Sequence, residues 1–334
     1  LQRQMCIRDR YLAGKPGSQI EQKIANGWRK TGKVIEESIA GSDVVTTIDS
    51  DIQEVVHSEL EKQLVSIDAP EGCVIVMEVS TGYVRAISNL KRAKDSSYKE
   101  VFNYAVGRLS PPGSTFKLAS LMAVLEDGKL TLDSQLNATG TYRFKGSKKP
   151  LYDSNNGKGY GKISLKEAFE KSSNVIAPTI DLAYKNDPHQ FISRLEKFGL
   201  AKSLGISIAG EPEPKVSRPG SPQWSGISIP YMSIGYEFEQ TPLQTLNLYN
   251  TIANNGKMMQ PQFVQEIRTS GKPSIIFDPV VMDEKICSQS TVEQVKSCLV
   301  GVMENGTGQN LESVEFKIAG KRAQLNLFLP QESF

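Results

Sequence analysis

"PPGSTFKLAS", residues 111–120, carries the reading of this chain. Pro111, Pro112 and Gly113 interrupt any preceding helix. Phe116, Ala119, Met122, Ala123 and Leu125 then recur at helical spacing, and Asp127-Gly128 closes the run, which predicts a helix over 114–127. Ser114 stands at its start and Lys117 three residues on, so both side chains share one face. A serine hydroxyl needs a base to become a nucleophile. The chain holds only two histidines, His57 and His189, far apart in sequence. A Ser-His-Asp arrangement is therefore disfavoured. A lysine serves as the base if burial or a helix N-terminus lowers its pKa from about 10.4 towards neutrality. The same helix end presents N–H groups to an oxyanion. Taken alone, S-x-x-K is a common pattern, compatible with an ordinary helix start and a solvated lysine.

The surroundings are those of a globular chain. It has 334 residues, 39% hydrophobic and 23% charged, with a net charge of +2. That balance predicts no nucleic-acid partner. No apolar run approaches the roughly 18 residues of a membrane helix. The four cysteines form no C-x-x-C pair and, with two histidines, make no zinc pattern, so neither a metal nor a cofactor is expected. Cys73, in "CVIVMEV", reads as a small buried hydrophobe. Cys287 and Cys298 read as free thiols, with pairing left open.

Residues 1–10, "LQRQMCIRDR", have no periodicity and read as a non-native tail. Residues 11–43 are polar and too short for a core of their own. A strand is expected at 44–48. A helix should follow from an N-cap among Asp49, Ser50 and Asp51, with Ile52, Val55, Val56, Leu60 and Leu64 on its apolar face and His57 on its surface. Two strand-like runs flank Ser80-Thr81-Gly82, a hairpin signal. Residues 131–163 read as a long loop region with short strands. Ser164 and Glu167 form a capping box. Helices are expected near 188–198, 241–254 and 290–304, and strands at 261–269 and 314–319. The mixture predicts an α+β fold, an antiparallel sheet flanked by helices.

Two further patterns carry chemistry. In "KSSN", residues 171–174, Ser172 and Asn174 can point to one side of an extended turn. The serine can relay a proton, and the asparagine amide can both donate to and accept from a peptide. In "KIAGKRAQLN", residues 317–326, Lys321 sits late in a strand-like run, where a cation can hold a carboxylate.

S-x-x-K, then S-x-N, then a strand lysine, in that order, is far more specific than any one part. With "NYAVGRLSPPGSTFKLASLMAVLEDG", "GYGKISLKEAFEKSSNV" and "MSIGYEFEQTPLQTLNLYNTIANNGKM", the chain resembles the transpeptidase domain of class B penicillin-binding proteins of the division (septal) type. The resemblance runs from about Tyr11 to Lys321. The interval from Ser172 to Lys321 suits a transpeptidase, whereas a class A β-lactamase has a much shorter one.

The resemblance implies the penicillin-binding, serine β-lactamase-like fold and a serine D,D-transpeptidase. Ser114 attacks the D-Ala-D-Ala carbonyl of a peptidoglycan stem peptide and an amine of a second stem peptide resolves the acyl-enzyme. Lys117 is then the general base, Ser172 the proton relay, Asn174 a ligand of the substrate amide and Lys321 of its carboxylate. β-Lactam antibiotics should acylate Ser114. Membrane proteins of the division machinery are the expected partners, and the outer face of the cytoplasmic membrane is the expected location. Residues 11–43 become the end of a pedestal domain, and 44–321 an incomplete transpeptidase domain.

The third motif departs from the family's K-T-G-T-A-Q: Arg322 and Ala323 follow Lys321. A codon run AAA ACG GGC ACA GCT CAA that loses one adenine reads Lys-Arg-Ala-Gln-Leu, the run from Lys321 to Leu325. Residues 322–334 are accordingly expected to be a frameshifted tail, and activity of the chain as written is left open. Two other readings stand beside the transpeptidase: a β-lactamase or penicillin sensor on the same fold, and a non-catalytic division scaffold. No E-x-x-L-N follows Asn174 to support a class A lactamase.

Overall fold

The computed structural model describes residues 11–147, 149–311, 313 and 315–323. The expected tail at 1–10 lies outside them, as do residues 324–334 of the expected shifted tail.

The chain folds as helices against small antiparallel sheets, the α+β class read from the sequence. Asp49 is the N-cap of the Ser50–Ser66 helix, its carboxylate accepting from the N–H groups of Asp51 and Ile52 at 3.1 Å each. Leu60 and Leu64 on that helix pack against Leu90. Leu90 belongs to the strand Val84–Arg92, which lies between Glu71–Met77 and Tyr98–Lys99. Gly82 turns the hairpin at φ +74°, and a Cβ there would meet Gln260 O at 2.5 Å. A second sheet orders Ile275–Ile276, Val264–Arg268 and Asp43–Thr46. Buried Thr47 ties the two sheets together, its hydroxyl lying 2.8 Å from the carbonyls of both Val84 and Gln262.

Lys117–Glu126 is the central helix of the larger core. Leu118, Ala119, Leu121, Met122, Ala123 and Val124 are all buried, as expected of an enclosed helix, and Lys117 and Ser120 are buried among them. Ile176–Tyr184, Pro188–Lys197 and Gln289–Glu304 pack around it. Helices at Pro188–Lys197, Pro242–Ala253 and Gln289–Glu304 match the sequence expectation, and the Ser164/Glu167 capping box is present on both sides. The helix Ile176–Tyr184 was not anticipated: its run of Ile176, Ala177 and Ile180 follows the Ser-Ser-Asn turn without a capping signal.

Two expectations need revision. Ser114 does not open an α-helix; Gly113–Phe116 is a 3₁₀ turn and the α-helix starts at Lys117. The strand expected at 314–319 is not formed over the described residues 315–319. A strand needs a neighbour to take its N–H and C=O groups, and no described strand pairs with this stretch. The Gly320 N–H instead donates to Leu299 O on the last long helix.

Ser18–Ile24 and Gly27–Glu36 form a two-stranded ribbon in which every residue is exposed. Cys73, Cys287 and Cys298 are free thiols. Burial pushes the Cys287 and Cys298 thiols up to about 12. His57 is half-buried on the first helix, its Nδ1 3.1 Å from Ser88 Oγ, and His189 is exposed.

Candidate active site

The serine of the first motif is held by a close approach of two backbone segments. Gly113 has φ +58°, and its N–H donates to Gly235 O at 3.1 Å. Gly235 has φ +86°, and a Cβ there would lie 2.1 Å from Gly113 O, so only glycine fits. The Thr115 hydroxyl donates to Pro112 O at 2.7 Å, and Thr115 O accepts from the Tyr249 hydroxyl at 2.9 Å. The Phe116 ring lies 4.6 Å from that of Phe238. These contacts fix the 3₁₀ turn and leave Ser114 facing an open cleft of about 1160 Å³.

Lys117 lies beneath that cleft, fully buried. Its ammonium nitrogen reaches Ser172 O at 2.8 Å, Asn174 Oδ1 at 2.7 Å and Ser172 Oγ at 3.3 Å. Its pKa is driven well below the ordinary lysine value, first by burial and then by the charge of Lys321, with Asp153 opposing. A neutral amine has two N–H groups and one lone pair. As the free amine Lys117 would give its two hydrogens to Ser172 O and Asn174 Oδ1 and keep a lone pair for a hydroxyl proton; as an ammonium it would also donate to Ser172 Oγ. No hydrogen bond joins Ser114 to Lys117 in this resting geometry.

The second motif caps the short helix Leu165–Glu170. Ser172 adopts φ +53°, the left-handed region, which turns the chain so that its carbonyl and hydroxyl both meet Lys117. The Asn174 amide is used at both ends: Oδ1 accepts from Lys117 and Nδ2 donates to Tyr152 O at 2.8 Å. Ser173, between them, is buried and points the other way, donating to Asp153 Oδ1 at 2.9 Å.

Asp153 escaped the sequence reading. It lies in the glycine-, serine- and asparagine-rich stretch 131–163, where no periodicity marks it. Its carboxylate is buried and also accepts from the Asn174 N–H and, at 3.1 Å, from the Tyr142 hydroxyl. Gly235 and Tyr249 lie in a stretch quoted for the resemblance, but their contacts with the turn that carries Ser114 join distant segments and leave no local signal.

Ser114, Ser172 and Asn174 line the cleft together with Tyr152, Tyr231 and Arg322. Lys321 is placed differently. Its Nζ is buried without a hydrogen-bond partner and stands 5.2 Å over the Phe169 ring. Burial lowers its pKa to about 7. Arg322, its exposed neighbour, reaches the cleft instead. His57 and His189 are not among the cleft residues.

A buried lysine braced by a Ser-x-Asn turn behind a serine brings together the groups that nucleophilic catalysis requires. Residues 72–322 match the model of the penicillin binding protein transpeptidase domain. This chain belongs to that family. It is 28% identical over 328 residues to the penicillin-binding protein PbpB of Mycobacterium tuberculosis, covering 94% of this chain and 47% of the relative. It is 28% identical over 310 residues to the peptidoglycan D,D-transpeptidase FtsI of Escherichia coli K12, covering 90% and 48%. This transpeptidase-family chain therefore spans about half the length of the curated relatives it matches. Among solved structures it resembles penicillin-binding protein 3 of Mycobacterium tuberculosis complexed with aztreonam, at TM-score 0.72 and 26% identity, over 83% of this chain and 63% of that one. The same protein complexed with ampicillin gives TM-score 0.71 and 27% identity over the same shares. The penicillin-binding fold expected from the three motifs is thus the fold observed.

Proposed function

We propose that this chain carries a serine D,D-transpeptidase site that crosslinks peptidoglycan stem peptides through an acyl-enzyme. One observation supports it most: Lys117 is fully buried and hydrogen-bonded to both Ser172 and Asn174, behind a cleft that Ser114 faces. Lys117, its basicity lowered by burial, takes the Ser114 proton as the oxygen attacks the carbonyl of a D-Ala-D-Ala end. The Ser114 N–H, at the head of the turn, faces the developing oxyanion. Ser172, hydrogen-bonded to the lysine, passes the proton to the departing D-alanine amine. Asn174 orients the peptide amide, and the carboxylate-binding role expected of Lys321 requires its ammonium to leave the Phe169 ring for the cleft that Arg322 lines. The amine of a second stem peptide then displaces Ser114 and closes the crosslink. Because β-lactams mimic the D-Ala-D-Ala end, they acylate Ser114.

The same reading places residues 44–321 in the catalytic domain, with 11–43 ending a pedestal, on the outer face of the cytoplasmic membrane among division proteins. No helix of the described residues is long and apolar enough to cross a membrane.

Incubating the chain with a fluorescent penicillin tests this reading. Covalent label on Ser114, lost in Ser114→Ala and stable for far longer than a lactamase turnover, supports a transpeptidase. Label that turns over within seconds supports a β-lactamase instead. A second reading, a non-catalytic scaffold, draws on Arg322-Ala323 standing where the family has Thr-Gly. A folded chain that takes no label at all favours that one.

A further inference from the structure

Asp153 is the one buried carboxylate that meets the Ser-Ser-Asn turn among the described hydrogen bonds. Oδ1 accepts from the Ser173 hydroxyl and the Asn174 N–H, and Oδ2 from the Tyr142 hydroxyl. Its own N–H donates to Gly140 O at 2.9 Å, which anchors it to the loop region from the other side. The residue it grips, Ser173, is flanked by the two that hold Lys117. Left-handed backbone at a non-glycine residue such as Ser172 costs about 1–2 kcal/mol. It persists where its surroundings over-determine it. The bonds from Ser173 and Asn174 to one immobile carboxylate supply that constraint.

Charge gives a second, independent line. Two charged side chains act on Lys117: Lys321, whose charge disfavours a second ammonium beside it, and Asp153, whose charge favours one. The other groups around the lysine, Ser172 and Asn174, are neutral. Tyr142, the remaining partner of Asp153, stays a phenol, because burial and the adjacent carboxylate push it up to about 12.

We propose that Asp153 is a positioning residue of this site: its carboxylate seats Ser172 and Asn174 on Lys117 and is the negative charge that opposes Lys321 there. The geometric part stands on the structure; the consequence for reactivity rests on the acyl-transfer reading above.

Asp153→Asn tests it in the full 334-residue chain. The amide keeps an acceptor oxygen for Ser173 and the Asn174 N–H but loses the charge. Two quantities are read: the titration of Lys117 by NMR of lysine labelled at Cε, its signal identified by loss in Lys117→Ala, and the rate of fluorescent-penicillin acylation against pH. Removing an opposite charge disfavours the ammonium. Lys117 in Asp153→Asn is therefore expected to titrate at lower pH than in the wild type, and the acid limb of acylation to move the same way. A purely structural residue would lower the melting temperature and leave both midpoints in place; that result overturns the proposal. If the wild-type chain takes no penicillin while its Lys117 still moves in Asp153→Asn, the acyl-transfer reading fails and the role of Asp153 stands. Should Asp153→Asn not fold, Asp153→Glu keeps the charge on a longer arm. Slower acylation, or displaced Ser172–Asn174 amide resonances, is then expected, and wild-type values for both overturn the seating role.

Discussion

Lys117 Nζ donates to Asn174 Oδ1 at 2.7 Å, joining residues 57 positions apart in the chain. The bond passes under the cleft and links the first helix of the core to the turn that ends another. It makes the two motifs one site. The same bonds hold Lys117 among its acceptors and away from water, the two conditions a lysine needs to act as a base in place of histidine.

If Lys117 is the base and Ser114 the nucleophile, Ser114→Ala abolishes penicillin acylation. Lys117→Ala slows it by at least the factor of about 10² expected of a lost general base. His57→Ala and His189→Ala leave it unchanged, since neither lines the cleft. Stopped-flow labelling with a fluorescent penicillin measures all four. Full acylation of Lys117→Ala would remove it from the base role.

Ser172 combines a strained backbone with a hydroxyl in the site. Ser172→Gly relieves the strain and Ser172→Ala does not, so the glycine variant should be the more stable by about 1 kcal/mol. Both lose the relay hydroxyl and should acylate slowly. Urea melts and labelling rates together separate the two effects; equal stability would show that the left-handed turn stores no energy.

Lys321 makes a pH-dependent contribution to stability. Burial lowers its pKa from the ordinary 10.5 to about 7. Between those values the unfolded chain binds a proton that the folded chain does not, so stability rises as pH is raised through that window. Below about pH 7 both states carry the proton and the full penalty of burying the charge remains. Lys321→Met should melt higher than the wild type at pH 7, and the gap should close towards pH 10.5. Thermal melts of both proteins across that range check it; a constant gap would contradict a depressed Lys321.

Gly235→Ala places a methyl against Gly113 O. The two segments must part, and the turn that carries Ser114 parts with them. The variant is expected to lose acylation even where circular dichroism shows the helices intact. Acylation at the wild-type rate would mean that the Gly113–Gly235 contact does not position Ser114.

What the sequence by itself determined is local. An N-cap within 49–51, the Ser80–Gly82 hairpin turn, the Ser164/Glu167 capping box and the four-residue span from Ser114 to Lys117 were legible because each is decided within a turn or two of backbone. The order of three short motifs further identified the family, and with it the fold. Tertiary structure alone decided how those pieces meet. It buried Lys117 and aimed it at Ser172 and Asn174, set Ser172 in the left-handed region, and turned the Lys321 ammonium over Phe169 while Arg322 took the cleft. It also recruited Asp153 from a stretch without periodicity, and Gly235 and Tyr249 from one whose own pattern says nothing of the turn that carries Ser114. The physical reason is common to all of these. Burial, charge coupling and close backbone approach depend on which distant segments pack together, and that packing leaves no periodic trace in the residues it brings into contact.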